Sequence, residues 1–449
     1  MMLNRRDLLK TGVGAAALAL TGSLALPRGA RKAAASAGFE SPDSLPSDVA
    51  WRWFELLYDI VKAERTPPTR ASRIYGIAAV TLYESVVDGS ASHLSLAGQV
   101  NGLVRVIRLQ DGALHWPTVA NAAMASVVRA LFPAISSASL AAVAALEEST
   151  DARNRPALSP ADYDAASAYG AAIVSAVLSW TPHDLSSRTV SYSISQADAA
   201  WQATPPAFAT IPLDPGWGGN RPMALGSGSQ IAPKGHPPFS SSQGSAFFAA
   251  AEDVYVVGKA LTSEQKYIAD YWGDNPVATG TPPGHWIAIA SQISRNNGLS
   301  LMTSAEAFAR VGVAVHDAFI CCWNVKYATN LMRPVTFIRR YIDPNWLPYI
   351  ATPAFPTYTS GHSSQSGAAA AVLTDMFGTV RFTDTTHVDH GLVPAAGPRA
   401  FASFYDAAAE AAVSRLYGGI HFAFDNDDGF DVGKRIGQAI VSRVRFTGS

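Results

Sequence analysis

Apolar residues recur at helical spacing along most of this chain. After a polar stretch at residues 41–46, the spacing predicts a helix over 49–62, and Pro67-Pro68-Thr69 opens a second one from 70 to about 87. It predicts further helices over 117–131, 137–148, 160–179, 244–257 and 263–271. In the second half it does so over 283–296, 304–323, 362–376 and 401–416. The alanine-rich stretches 164–178 and 366–376 add intrinsic propensity to that pattern. Residues 181–238 break it: they are rich in Trp, Pro, Gly and Ser and have little periodicity. A loop of that length is usually one that covers or lines a site. Strand signals are scarce, so the pattern predicts a mainly α fold. Arg73-Ile-Tyr-Gly-Ile-Ala-Ala-Val has an echo in Arg310-Val-Gly-Val-Ala-Val, compatible with two related helical bundles packed together.

Composition agrees with a compact globule: of 449 residues, 48% are hydrophobic and 15% charged. The first 37 residues stand apart. Asn4-Arg5-Arg6-Asp7-Leu8-Leu9-Lys10 precedes a weakly apolar, Gly/Ala-rich run and then Ala35-Ser36-Ala37, a small-residue cleavage site. Paired arginines before such a run resemble a twin-arginine export signal, with an ordinary secretory signal or a membrane anchor as the competing readings. Removing 1–37 leaves 28 basic and 34 acidic side chains, moving the formal charge from −1 to −6. Nucleic-acid binding is therefore not expected, since it depends on neutralising phosphates. No later apolar run is long enough to span a bilayer, so no membrane partner is expected after signal removal. The two cysteines, Cys321 and Cys322, are neighbours, which excludes a disulfide framework and suggests small buried residues in a helix.

Three clusters carry chemistry. In the first, Lys326 and Arg333 are separated by almost two helical turns and can share a face if the helix continues; Pro334 then ends or kinks it. Two cations converging among aromatics need an anion between them. In the second, Ser360-Gly361-His362 runs straight into an alanine-rich helix. A hydroxyl and free backbone N–H groups at a helix start suit an anion, and the histidine can exchange protons with it. The third is Ser414-Arg415-Leu-Tyr-Gly418-Gly419-Ile-His421, with Asp425 four residues on. Gly418-Gly419 should break the helix and swing His421 toward the site. Arg415 adds a planar grip, and Asp425 can fix the imidazole tautomer. The shared purpose of the three clusters is a tetrahedral oxyanion such as vanadate or phosphate.

K-x6-R-P, then S-G-H, then S-R-x5-H resembles the signature of the vanadium-dependent haloperoxidases and of type-2 phosphatidic-acid-phosphatase-like acid phosphatases. Tyr271-Trp272-Gly-Asp274 followed by Gly280-Thr281-Pro282-Pro283 is similar to a passage that precedes the signature in fungal haloperoxidases. The resemblance spans most of the second half of the chain. It implies a vanadium chloroperoxidase-like fold of two packed four-helix bundles, placed here at about 48–260 and 261–449 within a domain 38–449. It implies that His421 is the ligand to vanadate, or the phosphorylated nucleophile of a phosphatase, and that His362 is the acid–base. Lys326, Arg333, Ser360, the Gly361 amide and Arg415 would hold the oxyanion oxygens, and Asp274 would sit behind Arg415 as its carboxylate partner. Vanadium(V) would serve as a Lewis acid without changing oxidation state. Thr359 departs from the pattern, standing where the family usually has proline. Phe355 stands where chloroperoxidases carry Phe and many bromoperoxidases carry His, which hints at a dry halide pocket.

Two enzyme readings and one non-enzyme reading remain at this point. The first is an exported haloperoxidase, periplasmic or secreted, that uses hydrogen peroxide and a halide, with a small organic acceptor and a homodimer also open. The second is a secreted acid phosphatase, because phosphate fits the same residues as vanadate. The third, a non-catalytic anion binder, has no need for His362 beside His421. The remaining histidines of this half, His285, His316, His387 and His390, are read as structural or surface.

Overall fold

The computed structural model describes residues 38–106, 113–181 and 190–448; the export signal expected at 1–37 lies outside them, as do residues 182–189 of the long loop. The first half contributes α1 (Asp48–Ala63), α2 (Pro68–Val86), α3 (Trp116–Leu131), α4 (Ser137–Asn154), α5 (Pro160–Trp180) and α6 (Ala246–Lys259). The second half contributes α7 (Ser263–Tyr271), α8 (Thr281–Asn296), α9 (Leu301–Thr329), α10 (Pro334–Tyr341) and α11 (Gly361–Phe377). After these come α12 (Thr386–Asp389), α13 (Phe404–Tyr417) and α14 (Ala423–Arg443). A short antiparallel pair, β1 (Phe382–Asp384) and β2 (Arg399–Phe401), is held in register with Phe382 opposite Phe401.

Side-chain caps mark the starts. Ser136, Ser159, Ser245, Ser300, Ser360 and Ser403 each accept from an amide of the first turn, and Thr262 forms a full capping box with Gln265. Every helix expected from the spacing forms. Three more (α10, α12 and α14) and the β pair were not expected. Residues 190–238 are the irregular segment expected, apart from a 3-10 turn at Trp217–Gly219.

The principal core is continuous from Val49 to Phe446, so helices of both expected bundles share it. The echo noted in the sequence has a physical basis. It lies on α2 and α9, which touch at Gly76 and Gly312: a Cβ on Gly312 would come within 3.1 Å of the Gly76 Cα. Cys321 and Cys322 are buried and free on α9. Among the described residues no helix is long and apolar enough to cross a membrane.

One expectation is corrected. Lys326 and Arg333 do not share a helix face, because α9 ends at Thr329 with Asn330 in the left-handed region at φ +49°. Asparagine adopts that conformation readily and caps the helix. Arg333 is then the extended residue before α10, held there by Pro334 at its first turn.

Helices α11 and α14 make the most extensive helix–helix contact among the described residues. Gly429, Gly433 and Gly437 form one face of α14, and built Cβ atoms there would fall 2.9 Å from the Ser360 oxygen, 2.9 Å from the Ser364 carbonyl carbon and 2.7 Å from the Ala368 oxygen. Gly367 on α11 returns the contact against the Phe430 oxygen at 2.7 Å. Backbones can approach this closely only where no side chain intervenes. The pairing fixes the start of α11, with Ser360-Gly361-His362, against the start of α14, just after His421.

Candidate active site

Lys326, on the last turn of α9, is wholly buried, and its Nζ donates to the carbonyls of Pro356 at 2.9 Å and Thr357 at 2.8 Å. Arg333 reaches the same segment from the other side. Its Nε donates to the Phe355 carbonyl at 2.7 Å and its Nη1 to the Ile420 carbonyl at 2.9 Å. The two cations also flank the Phe355 ring, at 5.1 Å for Nζ and 4.7 Å for the guanidinium carbon. The loop 355–357 therefore brings them together although the helix between them is broken.

His421 enters through the predicted break: α13 ends at Tyr417, Gly418 caps it, and Gly419 turns with φ +75°. The His421 Nδ1 lies 2.9 Å from Asp425 Oδ2, and Thr357 Oγ1 and the Phe422 N–H donate to that same oxygen. An oxygen that accepts from both of these donors is an acceptor toward the ring as well, so Nδ1 carries the proton and the Nε2 lone pair faces outward, 3.1 Å from Arg333 Nη1. Burial, with Arg333 and Lys326 nearby, holds His421 well below the ordinary histidine value, so it is neutral at pH 7. Burial likewise lowers Lys326 and raises Asp425 from their ordinary values.

Helix α11 supplies the opposite wall. Ser360 is its N-cap, and its own N–H donates to the Asp425 carbonyl at 2.9 Å, tying the two helix starts together. The Gly361 and His362 amides belong to the first turn, whose N–H groups have no intrahelical acceptor. A Cβ on Gly361 would meet only Trp323, 3.6 Å away, so the protein itself leaves room beside that amide. His362 is hydrogen-bonded to the Trp272 carbonyl, and its Nε2 is buried with no hydrogen-bond partner among the described residues. Burial and then Arg415 hold it well below the ordinary histidine value.

Arg415 is buried and spends Nε on Ser414 Oγ at 2.9 Å and Nη2 on the carbonyls of Ala269 at 3.1 Å and Trp272 at 2.6 Å. Any grip on an anion must come from Nη1. Asp274 is not its hydrogen-bonding partner, contrary to expectation. The Asp274 carboxylate accepts from His285 Nδ1 at 3.1 Å and lies 3.9 Å from His362 Nε2; it acts on Arg415 only through space. The carbonyls at the end of α7 occupy the guanidinium instead.

All the site residues read from the sequence therefore converge, and Asp274 joins them beside His362 rather than at Arg415. Sequence reasoning missed Thr357, which bridges His421 and Asp425, and the buried trio Asp274–His285–Asp384. The signal for His285 was its place two residues after the Gly280-Thr281-Pro282-Pro283 passage.

The donors fit an oxyanion rather than a bare cation. Arg333 Nη2 and His362 Nε2 are buried without hydrogen-bond partners among the described residues, and free amides and cationic side chains surround them. Among the described residues no cluster of three or more His, Cys, Asp or Glu is arranged to hold a metal ion directly.

Residues 306–447 match a family model described as the VCPO second helical-bundle domain. A solved structure described as the first bacterial vanadium-dependent iodoperoxidase superposes with a TM-score of 0.84 and 32% identity, covering 92% of this chain and 100% of that one. The chain belongs to the vanadium-dependent haloperoxidase family. Vanadium chloroperoxidase of Curvularia inaequalis is 31% identical over 123 residues, a match that spans 22% of this chain and only 20% of that protein. A holo-type bacterial vanadium-dependent chloroperoxidase shares the fold at a TM-score of 0.64 and 16% identity, covering 84% of this chain and 92% of that one. The fold is thus shared with both solved structures, and the likeness to the iodoperoxidase extends over 92% of this chain.

Proposed function

We propose that this protein is an exported vanadium-dependent haloperoxidase that oxidises iodide with hydrogen peroxide to the hypohalous acid. The observation that carries this is the pocket itself: three buried cations, a free helix start and two neutral histidines, of which His362 has an unpartnered Nε2, on a chain alike over 92% of its length to an iodoperoxidase. Vanadate would be held by Lys326, Arg333, Arg415 Nη1, Ser360 Oγ and the Gly361 amide, with His421 Nε2 as its protein ligand. When bound, it supplies a Lewis-acidic centre that polarises peroxide oxygen without changing oxidation state.

The protein's own groups do the rest. Asp425 keeps the proton on His421 Nδ1, so Nε2 stays basic. The neutral His362, with a free Nε2, takes a proton from hydrogen peroxide and later returns one. Phe355 and Trp323, with ring centroids 5.0 Å apart, give the halide an apolar flank beside the cations. Export rests on the Arg5-Arg6 segment and the Ala35-Ser36-Ala37 site.

The test is halide oxidation by hydrogen peroxide, with iodide, bromide and chloride in turn, with and without orthovanadate and with phosphate as competitor. Vanadate-dependent iodide oxidation, suppressed by phosphate, is the expected result. No oxidation of any halide, with hydrolysis of p-nitrophenyl phosphate instead, would overturn the proposal in favour of a phosphatase on the same residues.

A further inference from the structure

We propose that His285 is a positioning residue for the acid–base histidine: bridging two buried carboxylates, it fixes the Asp274 carboxylate in front of His362. This rests on the haloperoxidase reading for what His362 does, but not for the geometry. His285, at the start of the second turn of α8, is wholly buried. Its Nδ1 is 3.1 Å from both oxygens of Asp274, and its Nε2 is 2.8 Å from Asp384 Oδ2. Both ring nitrogens face carboxylate oxygens, which only accept, so the ring carries a proton on each and is an imidazolium. Burial alone would favour the neutral ring, but the two carboxylates outweigh it and hold the group at about 10.

The far end of this strut is anchored. Asp384 also accepts from Tyr271 Oη at 2.8 Å, Gln292 Nε2 at 3.2 Å, Thr386 Oγ1 at 2.6 Å and the Thr386 amide at 2.9 Å. The indole of Trp272 stacks on the imidazole, with centroids 4.4 Å apart. Asp274 itself sits on a turn with φ +45°, and the hydrogen bonds found for its carboxylate are the two from His285. Without His285, the carboxylate that faces His362 at 3.9 Å would lose the hydrogen bonds that orient it. Its orientation matters because His362 has to be both aimed and kept able to exchange a proton.

Two measurements test this. In the vanadate-free wild-type protein, nitrogen-15 NMR should show both His285 ring nitrogens protonated from pH 6 to 8; a neutral ring would overturn the proposal. In the vanadate-loaded enzyme, His285→Gln should lower kcat/KM for hydrogen peroxide by about 10-fold to 100-fold, the range seen when a partner that orients a ligating histidine is removed. The dissociation constant for orthovanadate, read by calorimetry, should stay close to that of the wild type, because His285 touches none of the groups that would hold the anion. On an Asp274→Asn background the same change should add nothing. Asp384→Asn, which leaves His285 in contact with Asp274, should give a smaller loss of the same kind and serves if His285→Gln does not fold. Unchanged peroxide kinetics in either variant, or a loss of vanadate binding equal to the loss of turnover, would overturn the positioning role. A wild-type enzyme that oxidises no halide would sink the haloperoxidase reading alone, leaving the NMR result to decide the strut.

Discussion

Replacing Gly433 by alanine puts one methyl group between the backbones of α11 and α14. The new Cβ would fall on the Ser364 carbonyl, 2.9 Å from its carbon, and 3.1 Å from the Ala368 nitrogen. Those atoms are helix backbone and cannot swing aside as a flexible side chain would, so the helices must part. Overpacking of this kind costs about 1–3 kcal/mol, and a backbone-to-backbone clash belongs at the upper end. Alanine returns about 1 kcal/mol of helix propensity, leaving a net loss of about 2 kcal/mol. Gly258→Ala on α6 is the control. It makes the same chemical change, but its Cβ meets the Trp346 ring edge at 3.3 Å, which can give slightly. Its midpoint of urea unfolding should stay near that of the wild type while that of Gly433→Ala falls. The same separation should loosen the Ser360 N–H to Asp425 carbonyl bond, 2.9 Å in the native site, and weaken orthovanadate binding by about 10-fold to 100-fold. If Gly433→Ala unfolds with Gly258→Ala and binds orthovanadate as the wild type does, glycine packing does not set this site.

Three further outcomes follow from the pocket. His421→Ala should abolish orthovanadate binding measured by calorimetry as well as turnover, and tight binding retained by that variant would rule out Nε2 as the ligand. His362→Ala should bind orthovanadate within a few-fold of wild type yet turn over about 100-fold to 10,000-fold more slowly, the usual contribution of a positioned acid–base; normal turnover near neutral pH would remove that role. In the vanadate-free protein neither His362 nor His421 should titrate by proton NMR near 6.5, because both are held well below it, chiefly by burial. Since the unfolded chain binds these protons at a higher pH than the fold does, stability should be full above about 6.5 and fall as the pH drops toward the lowered values. A midpoint at or above 6.5 for either ring would contradict the electrostatic account.

The site was more legible in the sequence than the scaffold that aligns it. Arg333, Ser360, Gly361, His362, Arg415 and His421 each sit beside a break that local chemistry announces, an X-Pro step, a serine cap or a Gly-Gly turn, whereas the Asn330 cap after Lys326 was not read. Such signals act within a few residues, so they survive a one-dimensional reading. Helix α14 was invisible for the opposite reason. Asp425-Asn426-Asp427-Asp428 and glycines at 429, 433 and 437 are poor helix formers, and what favours the helix is contact with α11, some sixty residues earlier. Asp274 was misassigned for a related reason. The family resemblance placed it at Arg415, but only the fold shows that the carbonyls of Ala269 and Trp272 have taken the guanidinium.

The charges of the assembled pocket explain why two histidines can sit among three cations. Lys326, Arg333, Arg415 and the His285 imidazolium are set against Asp274, Asp384 and Asp425, and Asp425 is the one that burial pushes toward its neutral form. The protein alone therefore leaves the cavity with an excess of positive charge. Burial first, and then that excess, lowers His362 and His421, since a protonated ring there would be desolvated and would face the cations with no counter-charge. A dianionic or trianionic oxyanion reverses the balance: it gives Lys326 a reason to stay charged, offers Arg333 Nη2 the acceptor it lacks, and can replace Arg333 Nη1 as the partner of the His421 lone pair. The same field that keeps both rings neutral thus makes one a ligand and the other a base. Their separate roles come from what stands behind each, Asp425 for His421 and Asp274 for His362.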